Sequence, residues 1–166
     1  MKIINIQDIE SLTRQELLKN FLPETKIKYS LGKSVINKIS QSKDCFKLIS
    51  MLFDKDAIAY CESFVVLALN RANAVIAWKT VSVGGVSATV VDPKTIFNFL
   101  ISVNASGFII SHNHPAGQSH PSEQDKRVTQ KLKEGGKILE VTLLDHIIIS
   151  ALDINNYYSF ADSGLL

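Results

Sequence analysis

The chain has 166 residues, 46% of them hydrophobic and 20% charged, the balance of an ordinary soluble globular protein; that length suits one compact domain with a short N-terminal addition. A formal net charge of +2 is too small to imply a nucleic-acid partner, and the surplus of Lys and Arg in residues 1–50 (nine against five Asp and Glu) suits a solvated surface. Cys45 and Cys61 form no CxxC pair and read as reduced, buried thiols; with no signal-peptide core at Met1–Asp8 and no apolar run of membrane-spanning length, the expected location is the cytoplasm.

Asp8 to Asn20 carries Ile9, Leu12, Leu17 and Leu18 in a polar background, the spacing of a modest amphipathic helix that Phe21-Leu22-Pro23 ends. Lys26 to Ser30 alternates as a short exposed strand. These two elements form an expected N-terminal extension, residues 1–40, ahead of a main domain over 41–166. Ser42 reads as the N-cap of a helix through Cys45, Phe46, Leu48, Ile49, Leu52 and Phe53. Ser63 to Leu69 reads as a buried strand, Asn70 to Asn73 as a turn, and Ala74 to Val83 as the second strand of a hairpin. Gly84-Gly85 breaks that strand, and Ser87 to Val91 can resume the sheet. Asp92-Pro93 caps and starts a helix reaching Val103. Phe108 to Ser111 is an apolar strand that delivers His112. Pro121-Ser122 opens a helix to about Glu134, which Gly135-Gly136 should terminate. Ile138 to Leu144 and His146 to Ser150 give the last strands. The order predicts an α/β sandwich with a mixed central sheet.

His112-Asn113-His114-Pro115, followed by Ser122 and Asp125, is where the chemistry concentrates. His112 and His114, at the end of a strand, point to one face. Ser122 and Asp125, three apart in the first turn of a helix, share a face as well. The loop from Pro115 to Pro121 is long enough to fold that helix back over the strand end. Two imidazoles and a carboxylate with a fourth position open is the donor pattern of a catalytic zinc rather than a structural one, although His₂Asp also suits Fe²⁺ or Mn²⁺. Such a centre lowers the pKa of a coordinated water from ~16 to about 7 and still requires a base beside the metal. Glu62, at the start of the apolar strand, is the best candidate; taken alone, it reads rather as a surface carboxylate at a strand end.

Glu62, His112-x-His114-Pro115 and Ser122-x-x-Asp125 together resemble the signature of the JAMM metalloproteases. More narrowly, the chain is similar to the bacterial RadC-like branch of that family. The likeness is carried by Ile110 to Gly117, Pro121 to Asp125, Leu144 to Ile149 and Tyr158 to Gly164, and covers roughly residues 40–166. Ala116 stands where the family usually has Ser. The resemblance implies a cytidine-deaminase-like (JAB/MPN) α-β-α sandwich, with Zn²⁺ held by His112, His114 and Asp125. It also implies that Glu62 is general base and then acid, and that Ser122 donates a hydrogen bond to the developing oxyanion. In relatives the bond cleaved is a peptide or isopeptide bond, so a peptide or protein conjugate is the implied substrate. Longer RadC-like proteins carry an N-terminal helix-hairpin-helix module that would bind DNA; residues 1–40 show no glycine-bearing hairpin pair. Rival readings are a DNA repair or recombination accessory protein and a metal-bearing scaffold without turnover. The intact Glu62 and Ser122 favour a hydrolase over the scaffold.

Other residues have plain alternatives. His120, in the metal loop, either lines a substrate groove or is solvated. Asp145-His146 either orients a metal ligand or serves the strand, the structural reading being slightly preferred. Cys61 reads as a small core residue, and Trp78 and Tyr157-Tyr158 as core or edge aromatics rather than a base-stacking platform. Gly32-Lys33-Ser34 ends like a phosphate-binding loop, but Lys28 occupies the upstream glycine position, so that reading fails.

Overall fold

Ser63–Leu69 forms β1, and six of its seven residues are buried. A strand buried on both faces must lie between two apolar layers, and the alternation of β1 supplies both. Val65, Leu67 and Leu69 pack with Cys45 and Ile49, while Phe64, Val66 and Ala68 pack with Ile96, Leu100 and Leu132. The computed structural model describes Thr13 and residues 38–84, 91–153 and 155–166. All elements below belong to the compact unit Val35–Leu166.

In chain order the elements are α1 (Ser42–Ile49), β1, β2 (Val75–Val83), α2 (Pro93–Ser102), β3 (Gly107–His114), α3 (Glu123–Ile138), β4 (Thr142–Ser150) and β5 (Tyr157–Ser159). The five strands make one sheet in the order β2-β1-β3-β4-β5. β1 pairs antiparallel with β2 and β3, β3 pairs parallel with β4, and β4 antiparallel with β5. Residues of α1 cover one face; residues of α2 and α3 cover the other. This is the expected α/β sandwich with a mixed sheet. Among the described residues, no helix is long and apolar enough to cross a membrane.

Several local expectations are corrected. The N-cap of α1 is Gln41, without a side-chain cap bond, and the helix stops at Ile49 rather than Phe53. The Ser42 hydroxyl is drawn away to Asp162 and Tyr157 in the C-terminal segment. Gly135-Gly136 does not end α3, which continues to Ile138. These glycines serve packing: a Cβ on Gly135 would lie 2.7 Å from the Phe97 ring, and one on Gly136 would lie 2.4 Å from the Val141 carbonyl oxygen. The left-handed residue after α3 is Glu140, with φ 57°. Thr142 to Ser150 is a single strand whose register against β3 shifts at Leu144, and β5 was not anticipated. Asp92 caps α2 through the Lys94 amide, as expected. The N-terminal helix and strand, and most of the strand expected after Gly84-Gly85, lie outside the described residues; Val91 is not in a strand.

Candidate metal centre

The alternation of β3 sorts its end residues. Phe108 and Ile110 face the α2/α3 layer, so His112 and His114 continue on that face; Ile109, Ser111 and Asn113 take the other. The connection from β3 through α3 to the parallel strand β4 reverses direction in the helix, so the first turn of α3 meets the end of β3. Asp125 enters the site there. Gly117, with φ 84°, makes the return possible: its amide bonds the His114 carbonyl at 3.0 Å, and a Cβ there would overlap Leu152.

The donor atoms of His112, His114 and Asp125 all lie within 4.8 Å of one another. The two Nε2 atoms are 2.9 Å apart, His112 Nε2 is 3.2 Å from Asp125 Oδ1, and His114 Nε2 is 3.5 Å from Asp125 Oδ2. A tetrahedral ion about 2.0–2.1 Å from each donor needs edges of roughly 3.3 Å; the edge between the imidazoles and the edge from His112 to Oδ1 come within a few tenths of an ångström of that, and a small turn of the Asp125 carboxylate toward His114 would close the third. His114 is held with Nε2 toward the other two residues. Its Nδ1 lies 2.6 Å from the Gln118 carbonyl oxygen, which can only accept, so the proton sits on Nδ1 and Nε2 turns inward.

Ser122 is the N-cap of α3. Its hydroxyl accepts from the Asp125 amide at 3.1 Å and donates to Asp125 Oδ2 at 2.6 Å, while the Ser122 amide donates to the same oxygen at 2.7 Å. This reciprocal capping box anchors one carboxylate oxygen and leaves Oδ1 beside His112.

Glu62 immediately precedes β1. Phe64 pairs with His112 in the antiparallel ladder, so carrying the register on by two residues sets Glu62 beside His114. The Glu62 carbonyl accepts from the Gly84 amide at 2.8 Å. Asn113 holds the segment from the other side: its amide nitrogen donates to the carbonyls of Ile58 and Cys61, and its Oδ1 accepts from the Ser63 amide. Asn113 was not singled out from the sequence, though its position between two histidines assigns it to the opposite face.

The electrostatics agree with a cation-seeking site. Burial alone would raise the Asp125 carboxyl, but the two imidazoles and the Ser122 hydroxyl hold it well below the usual carboxylate range. The Asp125 carboxylate raises His114 above the ordinary imidazole value, with burial pulling the other way. Burial raises the Glu62 carboxyl, while His112 and His114 pull it down.

Asp145-His146, preferred above as structural, divides. His146 is fully buried and its ring faces His112, Nε2 to Nδ1 at 2.9 Å, the placement that the ligand-orienting alternative requires. Asp145 serves the backbone, accepting from the amides of His146 and Ala161 and from the Ser159 hydroxyl. Thr129, which bonds His146, escaped notice; its signal was the four-residue spacing from Asp125, one turn along the same helical face. His120 is exposed, its ring 5.7 Å from Tyr158. Cys45 and Cys61 are both free and buried, and burial pushes the Cys45 thiol well up.

Residues 39–165 match the RadC-like JAB domain. The chain is 40% identical to a UPF0758 protein of Flavobacterium johnsoniae over 130 residues, 78% of this chain and 54% of that one. It is 36% identical to a UPF0758 protein of Methanosarcina mazei, over 78% of this chain and 54% of that one. It is 31% identical to the UPF0758 protein of Aquifex aeolicus, over 96% and 71%. The chain thus spans about half the length of the first two relatives. With the family match covering the sheet, both flanking layers and all the residues brought together at the end of β3, this chain belongs to the RadC-like JAB domain family.

Proposed function

We propose that the chain is a zinc-dependent hydrolase of the JAMM type, acting on a peptide, isopeptide or other amide bond in a peptide or protein conjugate. The observation that carries this reading is the convergence of His112, His114 and Asp125 within 4.8 Å at the end of β3; Glu62, one residue before the paired strand β1, has its carboxyl raised by burial but pulled down by both histidines and supports it. These three residues would hold the ion, whose chemistry is that of a Lewis acid that makes water acidic near neutral pH. Glu62 takes the proton of the attacking water and returns it to the leaving amine. Its partial burial suits both halves of that task, since a raised carboxyl pKa brings acid and base forms closer to balance. Ser122, whose single hydrogen is directed at Asp125, turns it toward the oxyanion as negative charge develops there.

The test has two readouts on the full chain. Elemental analysis after purification without chelator is expected to find about one zinc per chain, lost from His112→Ala/His114→Ala. A panel of internally quenched peptides and isopeptide-linked conjugates is expected to yield at least one substrate whose cleavage a chelator abolishes. Equal zinc in wild type and double variant would end the reading, as would a zinc-loaded protein that cleaves nothing in the panel.

A further inference from the structure

The proton on His112 can be located by counting hydrogens along a chain of three groups behind it. Thr129 Oγ1 lies 2.6 Å from the backbone carbonyl oxygen of Asp125, one turn earlier in α3. Two oxygens approach that closely only with a hydrogen between them, and a carbonyl has none to give. The single hydrogen of the Thr129 hydroxyl is therefore spent on Asp125, the usual back-bond of a helical threonine. Thr129 Oγ1 also lies 2.6 Å from His146 Nδ1. That contact needs a hydrogen too, and only His146 can supply it.

His146 is enclosed between the rings of Phe160, stacked at 4.7 Å, and Phe64 at 6.0 Å. Its two nitrogens meet a hydroxyl and another imidazole, neither of them an anion that would hold an imidazolium in so dry a place. A neutral ring with its hydrogen on Nδ1 has a lone pair on Nε2. The 2.9 Å contact between His146 Nε2 and His112 Nδ1 must then be bridged by the hydrogen of His112. By the same count, the 2.9 Å contact between His112 Nε2 and His114 Nε2 is bridged from the His114 side, by a second ring hydrogen that a bound cation would displace.

We infer that Thr129 and His146 are positioning residues that fix His112 as the Nδ1–H tautomer, so that its Nε2 lone pair points at His114 and Asp125. The control passes outward from a backbone carbonyl of α3, through a hydroxyl and a ring, to a side chain of β3. The same helix that contributes Asp125 thereby dictates which nitrogen of His112 is free. His114 receives the equivalent instruction directly from the Gln118 carbonyl. A neutral imidazole with no such partner divides its proton between the two nitrogens, and only one of the two forms can bind a cation at Nε2.

The inference rests on the reading of the three residues as a cation site, and its test separates the two. In metal-free protein selectively labelled with ¹⁵N-histidine, the ring-nitrogen shifts of His112 and His146 are expected to report protonated Nδ1 and unprotonated Nε2. This measurement requires neither metal nor turnover. Zinc affinity, read by competition with a chromophoric chelator, is expected to fall about 10- to 100-fold in Thr129→Val, which keeps the shape and removes the hydroxyl. Thr129→Ser should restore it. A merely structural threonine would show the reverse order, because Val fills the threonine volume and Ser does not. A wild-type proton on Nε2 of either ring would overturn the inference, as would undiminished affinity in a folded Thr129→Val protein. Should that variant fail to fold, the wild-type shifts decide. Fixed tautomers in a protein that binds no zinc would sink the proposed function and leave this inference standing.

Discussion

Asn113 donates a 2.6 Å hydrogen bond to the carbonyl of Ile58, although the residues on either side of Asn113 are the two histidines of the candidate metal site. The strand's two-residue period makes this possible: one face of β3 carries the imidazoles, and the other ties down the loop that ends in Glu62. A single strand end thus fixes both the proposed ligands and the segment bearing the proposed base.

Asn113→Ala would leave the carbonyls of Ile58 and Cys61 and the amide of Ser63 without their partner. The expected cost is about 1–3 kcal/mol in urea unfolding. Zinc content should persist, because no ligand is touched, while turnover falls by roughly 10² as Glu62 loses its placement. Wild-type turnover in a destabilised Asn113→Ala protein would show that the clamp serves folding alone.

Glu62→Gln keeps the shape of the residue but cannot accept a proton. Zinc content and thermal midpoint are expected to match wild type, with at least a ~10² loss of kcat on any amide substrate that turns over. Unchanged kcat would place the base elsewhere. Loss of zinc would make Glu62 a ligand and reopen the assignment of Asp125.

Asp145 gives a stability effect with a defined sign. Burial raises its carboxyl pKa above the ordinary value, outweighing the hydrogen bonds from Ala161, Ser159 and His146 that favour the charged form. A carboxyl whose folded pKa is raised contributes stability that is fully present below the unfolded pKa of about 3.9 and is lost as pH rises through the folded pKa. Asp145→Asn does not titrate. The stability of wild type relative to Asp145→Asn should therefore decline as pH rises from about 4 toward neutrality. Urea titrations of both proteins over that range check it; a gap that widens with pH would mean that the hydrogen bonds outweigh burial.

The paired glycines of α3 should answer unequally to alanine. At Gly136 the new Cβ meets the Val141 carbonyl oxygen at 2.4 Å, a backbone atom that cannot yield, so Gly136→Ala should cost several kcal/mol, about as much as a severe overpacking. At Gly135 it meets the edge of the half-buried Phe97 ring at 2.7 Å, which can swing aside. The helix gains about 1 kcal/mol from replacing glycine with alanine, so Gly135→Ala should be close to neutral. Thermal melts that rank the two variants the other way would refute the packing role assigned to Gly136.

What was legible in the chain was what its periodicities and caps encode. The apolar run of β1, the Asp92-Pro93 start of α2 and the Ser122/Asp125 turn of α3 each announce themselves within a few residues, because caps and alternation are local. The proposed ligands His112, His114 and Asp125 were legible for the same reason: a two-residue and a three-residue spacing each select one face, and a short loop joins them. Glu62 was an ambiguous strand-end carboxylate until the antiparallel register of β1 and β3 set it beside His114, fifty residues away in sequence. The glycines of α3 looked like a stop because glycine weakens helices in isolation. In the fold they let the helix pass close to Val141 and Phe97, and packing overrides propensity. The four-residue spacing from Asp125 sets Thr129 on the right helical face, but no spacing rule pairs it with His146, since one lies on α3 and the other on β4. Only the sheet order that sets β4 against β3, with α3 crossing between them, brings both behind His112. Local sequence chose the donor atoms; the tertiary structure decided where their protons sit, because each proton's place depends on a neighbour distant in the chain.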